Sequence, residues 1–387
     1  MKIIPAIAAR HAEHSRWRHT LHAQPELAYA EHLTADFVAA KLDACNIPYV
    51  RGLGRTGIVA TITGHSPGRS VGLRADMDAL PLQEMNDFAH RSQHPGVMHA
   101  CGHDGHTVML LAAAEYLARE RAFAGTVYGI FQPAEEGEAG AKAMMDDGLF
   151  ERFPMDAVFG LHNWPWLPVG QMAMRAGPMM ASMDIFEATV RGRGGHAAQP
   201  HMAVDPIVVA AGIVQAWQTI VARNVDPLES GVVSVTQIHA GHAWAVIPEE
   251  VSLRGTVRTF KPAVQALIEQ RLRELGEGLA AAHGCTFDWR YERRFPATIN
   301  SVAETDFAAA VGSELLGADN ILRDAAPSMG SEDFGWMLQV KQGSYVWLGT
   351  GGETSCLLHN PRYDFNDAAI PLGASYWVAL AHAFLNP

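Results

Sequence analysis

At 387 residues the chain exceeds the roughly 250–300 at which one hydrophobic core stops growing, so two domains are expected. With 48% hydrophobic and 18% charged residues it has an ordinary folded composition, which excludes long disorder. Its 29 basic against 41 acidic residues give a net charge of −12 with no Lys/Arg cluster, which excludes the electrostatic footprint of a nucleic-acid binder.

The opening segment, "MKIIPAIAARHAEHSRWRHTLHAQPELAYAE", lacks a continuous apolar core before a small-residue cleavage site and reads as a helix of a soluble protein. No apolar run along the chain reaches the roughly 18 residues of a membrane span. Cys45, Cys101, Cys285 and Cys356 are scattered and read as reduced thiols. Together these features give the expectation of a cytoplasmic protein with neither a membrane nor a nucleic acid as partner.

Short β-branched or aromatic runs then alternate with Ala/Leu-rich stretches, the pattern of an α/β domain with a mainly parallel mixed sheet. The strands are "GIVATIT" at 57–63, "SVGLRA" at 70–75, "TVYGIF" at 126–131, "DAVFGL" at 156–161 and "SYVWLG" at 344–349. Between the second and third, "GHTVMLLAAAEYLARE" has helical spacing, with Asp104 placed as its N-cap. From residue 182 the order becomes β-α-β-β-α-β, a ferredoxin-like α+β unit, before α/β signals resume. The expected organisation is therefore a catalytic domain over 1–181 and 294–387, interrupted by an inserted domain over 182–293. The helix predicted at 205–223 is apolar around much of its circumference, more than one sheet face needs, which marks a partner surface.

The chemistry-bearing residues fall at the carboxyl ends of the predicted strands. "HACGHDGH" offers Cys101 and His103; its spacing is not that of a closed zinc finger, and no second CxxC completes one. "FQPAEEGEAG" places Glu135 and Glu136 in one loop, where adjacent side chains point different ways, so that one can bind a metal and the other act as general base. "GLHNWP" offers His162, "LLHNPRYDFND" offers His359, and "LRADMDALP" adds Asp76 and Asp78. Each alone has an ordinary reading as a cap, a surface carboxylate or a structural histidine, but five loops converging on the crevice outside the strand ends describe one site.

Cys101, His103, Glu136, His162 and His359 are too many ligands for a single catalytic ion and suit two metals. Mixed sulfur, nitrogen and oxygen donors favour Zn²⁺, with Mn²⁺, Co²⁺ or Ni²⁺ as alternatives. In the inserted domain, "GRGGHAAQPH" leads through glycines to His196, and "RGTVRTF" sets Arg254 and Arg258 on one strand face, suited to a carboxylate.

These motifs, with "SEDFG" near residue 331, run from about residue 15 to the end in the order found in the dinuclear metallo-amidohydrolases: hippurate hydrolases, N-acyl-amino-acid amidohydrolases and auxin-conjugate hydrolases. The chain is identified as a resembling member of that group. The resemblance implies an α/β catalytic domain interrupted by a lid and dimerisation domain, hence a homodimer or higher homo-oligomer. It also implies metal ligation by Cys101, His103, Glu136, His162 and His359, with the Cys101 thiolate bridging. Glu135 becomes the general base and acid, and Asp78 the carboxylate that orients a ligand histidine. His196 polarises the scissile carbonyl, and Arg258 holds the free carboxylate of the substrate. Many relatives carry Asn before "VIP"; here that place is Ala245, preceded by Trp244, which exchanges a polar contact for an aromatic wall.

The expected reaction is metal-dependent hydrolysis of the amide in N-acyl L-amino acids, with an aromatic acyl group such as benzoyl. The alternatives are a metallo-dipeptidase or carboxypeptidase and a non-catalytic ligand-binding relative. Ser328 and Ser331 lack a G-x-S-x-G elbow, which argues against a serine nucleophile.

Overall fold

The computed structural model describes residues 1–352 and 355–386. Its contacts divide the chain into two units: one comprises Met1–Met179, Thr298–Ala326 and Asp333–Pro387, the other Met180–Ala297 with Pro327–Glu332.

The first unit is built on an eight-stranded mixed sheet. From edge to edge its strands are Tyr49–Leu53, Gly57–Thr63, Ala124–Gln132, Ser66–Asp76, Ala157–Pro168, Gly343–Gly351, Met172–Ala173 and Ile321–Leu322. The four central strands pair in parallel, and antiparallel pairs lie toward the margins. Central parallel strands covered on both faces read as continuous apolar runs, and Ala157–Leu161 and Gly343–Thr350 are buried without interruption. Helices His103–Glu120 and Ile370–Leu385 pack on strand Ser66–Asp76 and on each other. They touch closely at Gly373, where a Cβ would sit 2.0 Å from Met109 Sδ.

Several expected element boundaries move, and two of the changes bear on the residues at the strand ends. The strand predicted to end at residue 161 runs on to Pro168, because its parallel partner continues with Trp347 opposite His162 and Gly349 opposite Trp164. Trp164 and Trp347 stack there with ring centroids 3.9 Å apart. Asp104 is not an N-cap: the helix starts at His103, capped by Gly102 at φ +89, which leaves Asp104 inside the first turn. Only glycine fits at 102, since a Cβ would lie 2.5 Å from Asn163 Oδ1.

The second unit is a four-stranded antiparallel sheet in the order Gly231–Ala240, Glu250–Thr259, Met183–Arg191, Thr286–Phe295. Helices Pro206–Arg223 and Pro262–Ala282 cover one face, giving the chain order β-α-β-β-α-β around a core of its own. Trp217 is buried between the helices and donates from Nε1 to the Leu272 carbonyl at 2.8 Å. Asp205 caps the first helix by accepting from Ile207 N–H at 2.9 Å. A short ribbon, Gly195–His196 against Val246–Ile247, hangs from this sheet.

All four cysteines are free thiols. Contrary to the reading of the bare sequence, two helices are long and apolar enough to cross a membrane, Pro206–Arg223 and Asp367–Leu385. The second lies 78% buried inside the first unit, and the first turns Ile207 and Val208 outward, so that it is 33% buried.

Candidate metal centre

All five candidate metal ligands lie in the first unit, at the carboxyl ends of its central strands or on the loops beyond them. Cys101 and His103 flank the left-handed Gly102, which turns the chain into helix His103–Glu120. Glu135 and Glu136 follow strand Ala124–Gln132 after Pro133 and Ala134, the latter at φ +54. His162 is inside its strand. His359, at φ +61, is tied to the Cys101 loop by its own N–H, which donates to the Ala100 carbonyl at 2.8 Å.

These residues form two adjoining groups. The ligand atoms of Cys101, Glu136 and His359 lie within 4.8 Å of one another, as do those of His103, Glu135 and Glu136. Glu136 belongs to both. Its Oε1 lies 3.4 Å from His359 Nε2 and 4.0 Å from His103 Nε2. Cys101 Sγ lies 3.4 Å from His162 Nε2, whose ring is set by its Nδ1–H donating to the Asn163 carbonyl at 2.7 Å. That bond fixes the tautomer that leaves the Nε2 lone pair turned toward the thiol.

Asp78 organises the glutamate loop. Its Oδ1 accepts from Glu135 N–H at 3.0 Å and its Oδ2 from Glu136 N–H at 2.9 Å, while Oδ1 also lies 3.3 Å from His103 Nδ1. Glu135, almost fully buried, also receives the Asp333 N–H on Oε1 at 3.3 Å.

Sequence reasoning passed over a second layer. His106 is three residues after His103 and so on the same helical face. Its Nδ1 lies 2.5 Å from Asp76 Oδ1, and its Nε2 lies 2.5 Å from Asn163 Oδ1 and 2.9 Å from Asn163 N. Both ring nitrogens are thus engaged by neighbouring protein groups. Asp76, one of the carboxylates expected at the strand ends, is a buried anion between His106 and Arg74, whose Nη1 donates to Asp76 Oδ2 at 2.7 Å. The i, i+3 spacing of His103 and His106 was one available signal, and the i, i+2 spacing of Arg74 and Asp76, which puts both on one face of their strand, was another.

The residues present fit cations. His103 Nε2 and Glu136 Oε1 are buried without a hydrogen-bond partner among the described residues, the condition of ligand atoms awaiting an ion. The electrostatics agree. Burial by itself lowers the His103 pKa, but the Asp76, Asp78 and Glu136 carboxylates outweigh it and push it up to about 10. Burial, reinforced by Glu136, Glu135 and Asp76, drives the Cys101 thiol well above its ordinary value. Burial and the neighbouring His106 hold His162 well below the usual imidazole range. Such a surplus of negative charge is relieved by protons or by metal ions.

His196 and Arg258 lie in the second unit. His196 is on the ribbon, exposed, with Nδ1 accepting from Ala198 N–H at 3.1 Å, so the proton resides on Nε2. Ala197 N–H bonds the Ala245 carbonyl at 2.9 Å, which sets the fully exposed Trp244 (relative exposure 105%) beside the His196 strand. A cavity of about 430 Å³ opens on this ribbon, lined by residues that include His196 and Ala245. Arg258 Nη1 donates to Ser331 Oγ, whereas Arg254 pairs with Glu187 at 3.1 Å on the exposed sheet face and is separated in role from Arg258.

Residues 72–383 match the model of peptidase family M20/M25/M40. The chain is 42% identical to a hippurate hydrolase of Campylobacter jejuni over 386 residues, covering 100% of each chain. It is 35% identical to an N-acetylcysteine deacetylase of Bacillus subtilis, over 96% of this chain and 97% of that one. Among solved structures it superposes with TM-score 0.84 and 33% identity on a Bacillus subtilis protein described as a dinuclear metal-binding peptidase of the M20 family, covering 98% and 99% of the two chains.

Proposed function

The chain belongs to peptidase family M20/M25/M40, and on that premise we propose that it is an amidohydrolase cleaving N-acyl L-amino acids, with preference for an aromatic acyl group. The observation that carries the reading is that Asp78 accepts the backbone N–H groups of Glu135 and Glu136, one on each oxygen, which holds the two adjacent glutamates in one loop beside the other candidate ligands; on this proposal Glu136 is the ligand and Glu135 the proton carrier.

Cys101, His103, Glu136, His162 and His359 hold two divalent ions, Zn²⁺ first, with Mn²⁺, Co²⁺ or Ni²⁺ as substitutes. Bound metal supplies Lewis acidity and makes water a competent nucleophile near neutral pH. Glu135 removes the proton from the attacking water and returns it to the departing amine nitrogen, so no covalent acyl-enzyme is needed. His196, protonated at Nε2, donates to the scissile carbonyl oxygen as negative charge develops there. Arg258 holds the substrate carboxylate. The second unit serves as lid and as dimer contact, for which the outward Ile207 and Val208 provide apolar surface. The setting is cytoplasmic.

The test is a substrate panel on metal-stripped protein refilled separately with Zn²⁺, Mn²⁺, Co²⁺ or Ni²⁺. Benzoyl-glycine should be hydrolysed faster than acetyl-glycine, and both faster than unblocked dipeptides. Preferential cleavage of unblocked dipeptides would establish the peptidase alternative in its place.

A further inference from the structure

Helix His11–Ala23 contributes none of the five candidate ligands, yet Arg18 on it is 1% exposed and reaches three carboxylates from two other segments. Its Nη1 donates to Asp104 Oδ2 at 3.1 Å and to Asp364 Oδ1 at 2.8 Å, and its Nε donates to Asp367 Oδ1 at 2.5 Å. Asp104 directly follows His103. Asp364 and Asp367 close the segment that begins at His359. The arginine therefore joins the segment bearing His103 to the segment bearing His359.

The joint is braced on both sides. His22, one turn along from Arg18, lies 2.9 Å from Asp104 Oδ2 through Nδ1 and 3.3 Å from Glu84 Oε1 through Nε2. On the other side, Tyr363 is buried and its hydroxyl accepts from Asn163 Nδ2 at 2.6 Å, which anchors the His359 segment beside His162. A buried guanidinium facing three carboxylates is too costly to be incidental unless each bond is made, and here each is made. A planar fork with several fixed donors suits this task, whereas a lysine ammonium is a single point charge.

We infer that Arg18 is a positioning residue of the metal centre, setting the separation between the His103 and His359 ligand groups. The inference rests on the dinuclear reading above. Loss of the guanidinium frees the 359–367 segment more than the helix-borne His103, so the metal held with His359 should weaken first.

The experiment counts zinc on the full chain by competition with a chromophoric chelator, independently of turnover. Wild type should hold two Zn²⁺. Arg18→Gln should hold one tightly and the second about 10–100-fold more weakly, the range for losing a group that orients a ligand. Arg18→Lys should fall between them. Asp367→Asn, on the partly exposed loop, should reproduce the loss if the Gln variant does not fold. In a His359→Ala background, Arg18→Gln should not weaken the remaining zinc further, which a general loosening of the fold would do. Unchanged affinity for both ions in the Gln and Asn variants, or equal weakening with and without His359, would overturn the inference. A wild type that binds fewer than two Zn²⁺ refutes the dinuclear reading itself and removes the inference with it.

Discussion

Asp78→Asn replaces one carboxylate oxygen by an NH₂ group at nearly constant volume, and it separates positioning of the ligands from ligation. In the native protein both carboxylate oxygens accept backbone N–H groups, from Glu135 at 3.0 Å and Glu136 at 2.9 Å. An amide offers one oxygen, so whichever way the Asn side chain turns, its NH₂ meets one of those N–H groups. That leaves a buried donor unsatisfied, at about 1–3 kcal/mol. The bond that survives loses its charge assistance, about another 1 kcal/mol. The variant should therefore unfold about 2–4 kcal/mol more easily, the sum of the two effects. The same change removes the anion 3.3 Å from His103 Nδ1, and with it the support for that ring as a ligand. Metal affinity should drop about 10–100-fold. Urea unfolding of the metal-free protein measures the first effect and chelator competition the second. Wild-type metal affinity in a variant that is destabilised as calculated would show that Asp78 only braces the loop; unchanged stability would refute the hydrogen-bond argument altogether.

Glu135→Gln should keep both metals and lose about 10²–10⁴-fold in kcat, the contribution of a general base; steady-state hydrolysis of benzoyl-glycine on protein of measured metal content decides it. Trp244→Ala should leave the melting temperature unchanged, since the side chain is fully exposed, while raising KM for benzoyl-glycine about tenfold, the worth of one aromatic contact, and sparing acetyl-glycine. Burial pushes Asp184 up to about 6 against hydrogen bonds from Tyr291 and Gln265 that hold it down. A carboxyl raised in the folded state stabilises fully below its unfolded pKa and loses that contribution as pH rises through the folded value. Wild-type stability should thus fall by about 2–3 kcal/mol between pH 4 and pH 7 relative to Asp184→Asn. Parallel urea curves for the two proteins across that range would contradict the assignment.

The parts of the fold that repeat a physical period were readable from sequence. Strand Gly57–Thr63 falls on the predicted residues, and helix Pro206–Arg223 starts directly after its Asp205 cap. The strand through His162 was read short because Asn163, Pro165 and Pro168 look like turn residues, whereas the parallel partner, almost 200 residues away, is what extends it. Glu135, Glu136 and His359 were legible as candidates because they follow predicted strand runs, a local signal, whereas Cys101 and His103 stand at the start of a helix and His162 lies within its strand. The support for these ligands was not legible. Arg18 with Asp104 and Asp364, and Tyr363 with Asn163, are contacts between distant segments, and a buried arginine looks in sequence like any surface arginine.

Charge explains why Arg74 and Arg18 stand where they do. Asp76 has Arg74 against it, and Asp104, Asp364 and Asp367 share Arg18, with His22 pushed up to about 9 because the Asp104 and Glu84 carboxylates outweigh its burial. The Asp78, Glu135 and Glu136 group faces imidazoles and backbone N–H groups instead. In the metal-free protein the Asp76, Asp78 and Glu136 carboxylates push the His103 pKa up to about 10, which favours a proton on that ring. Exchanging that proton for divalent cations satisfies the same carboxylates with more charge and opens His103 Nε2 for ligation. Metal binding therefore draws on the folded arrangement itself, and the first unit should gain stability with each ion as it binds. The arginines hold the remaining carboxylates in place without competing for the ions, which keeps the uncompensated charge confined to the residues that can ligate.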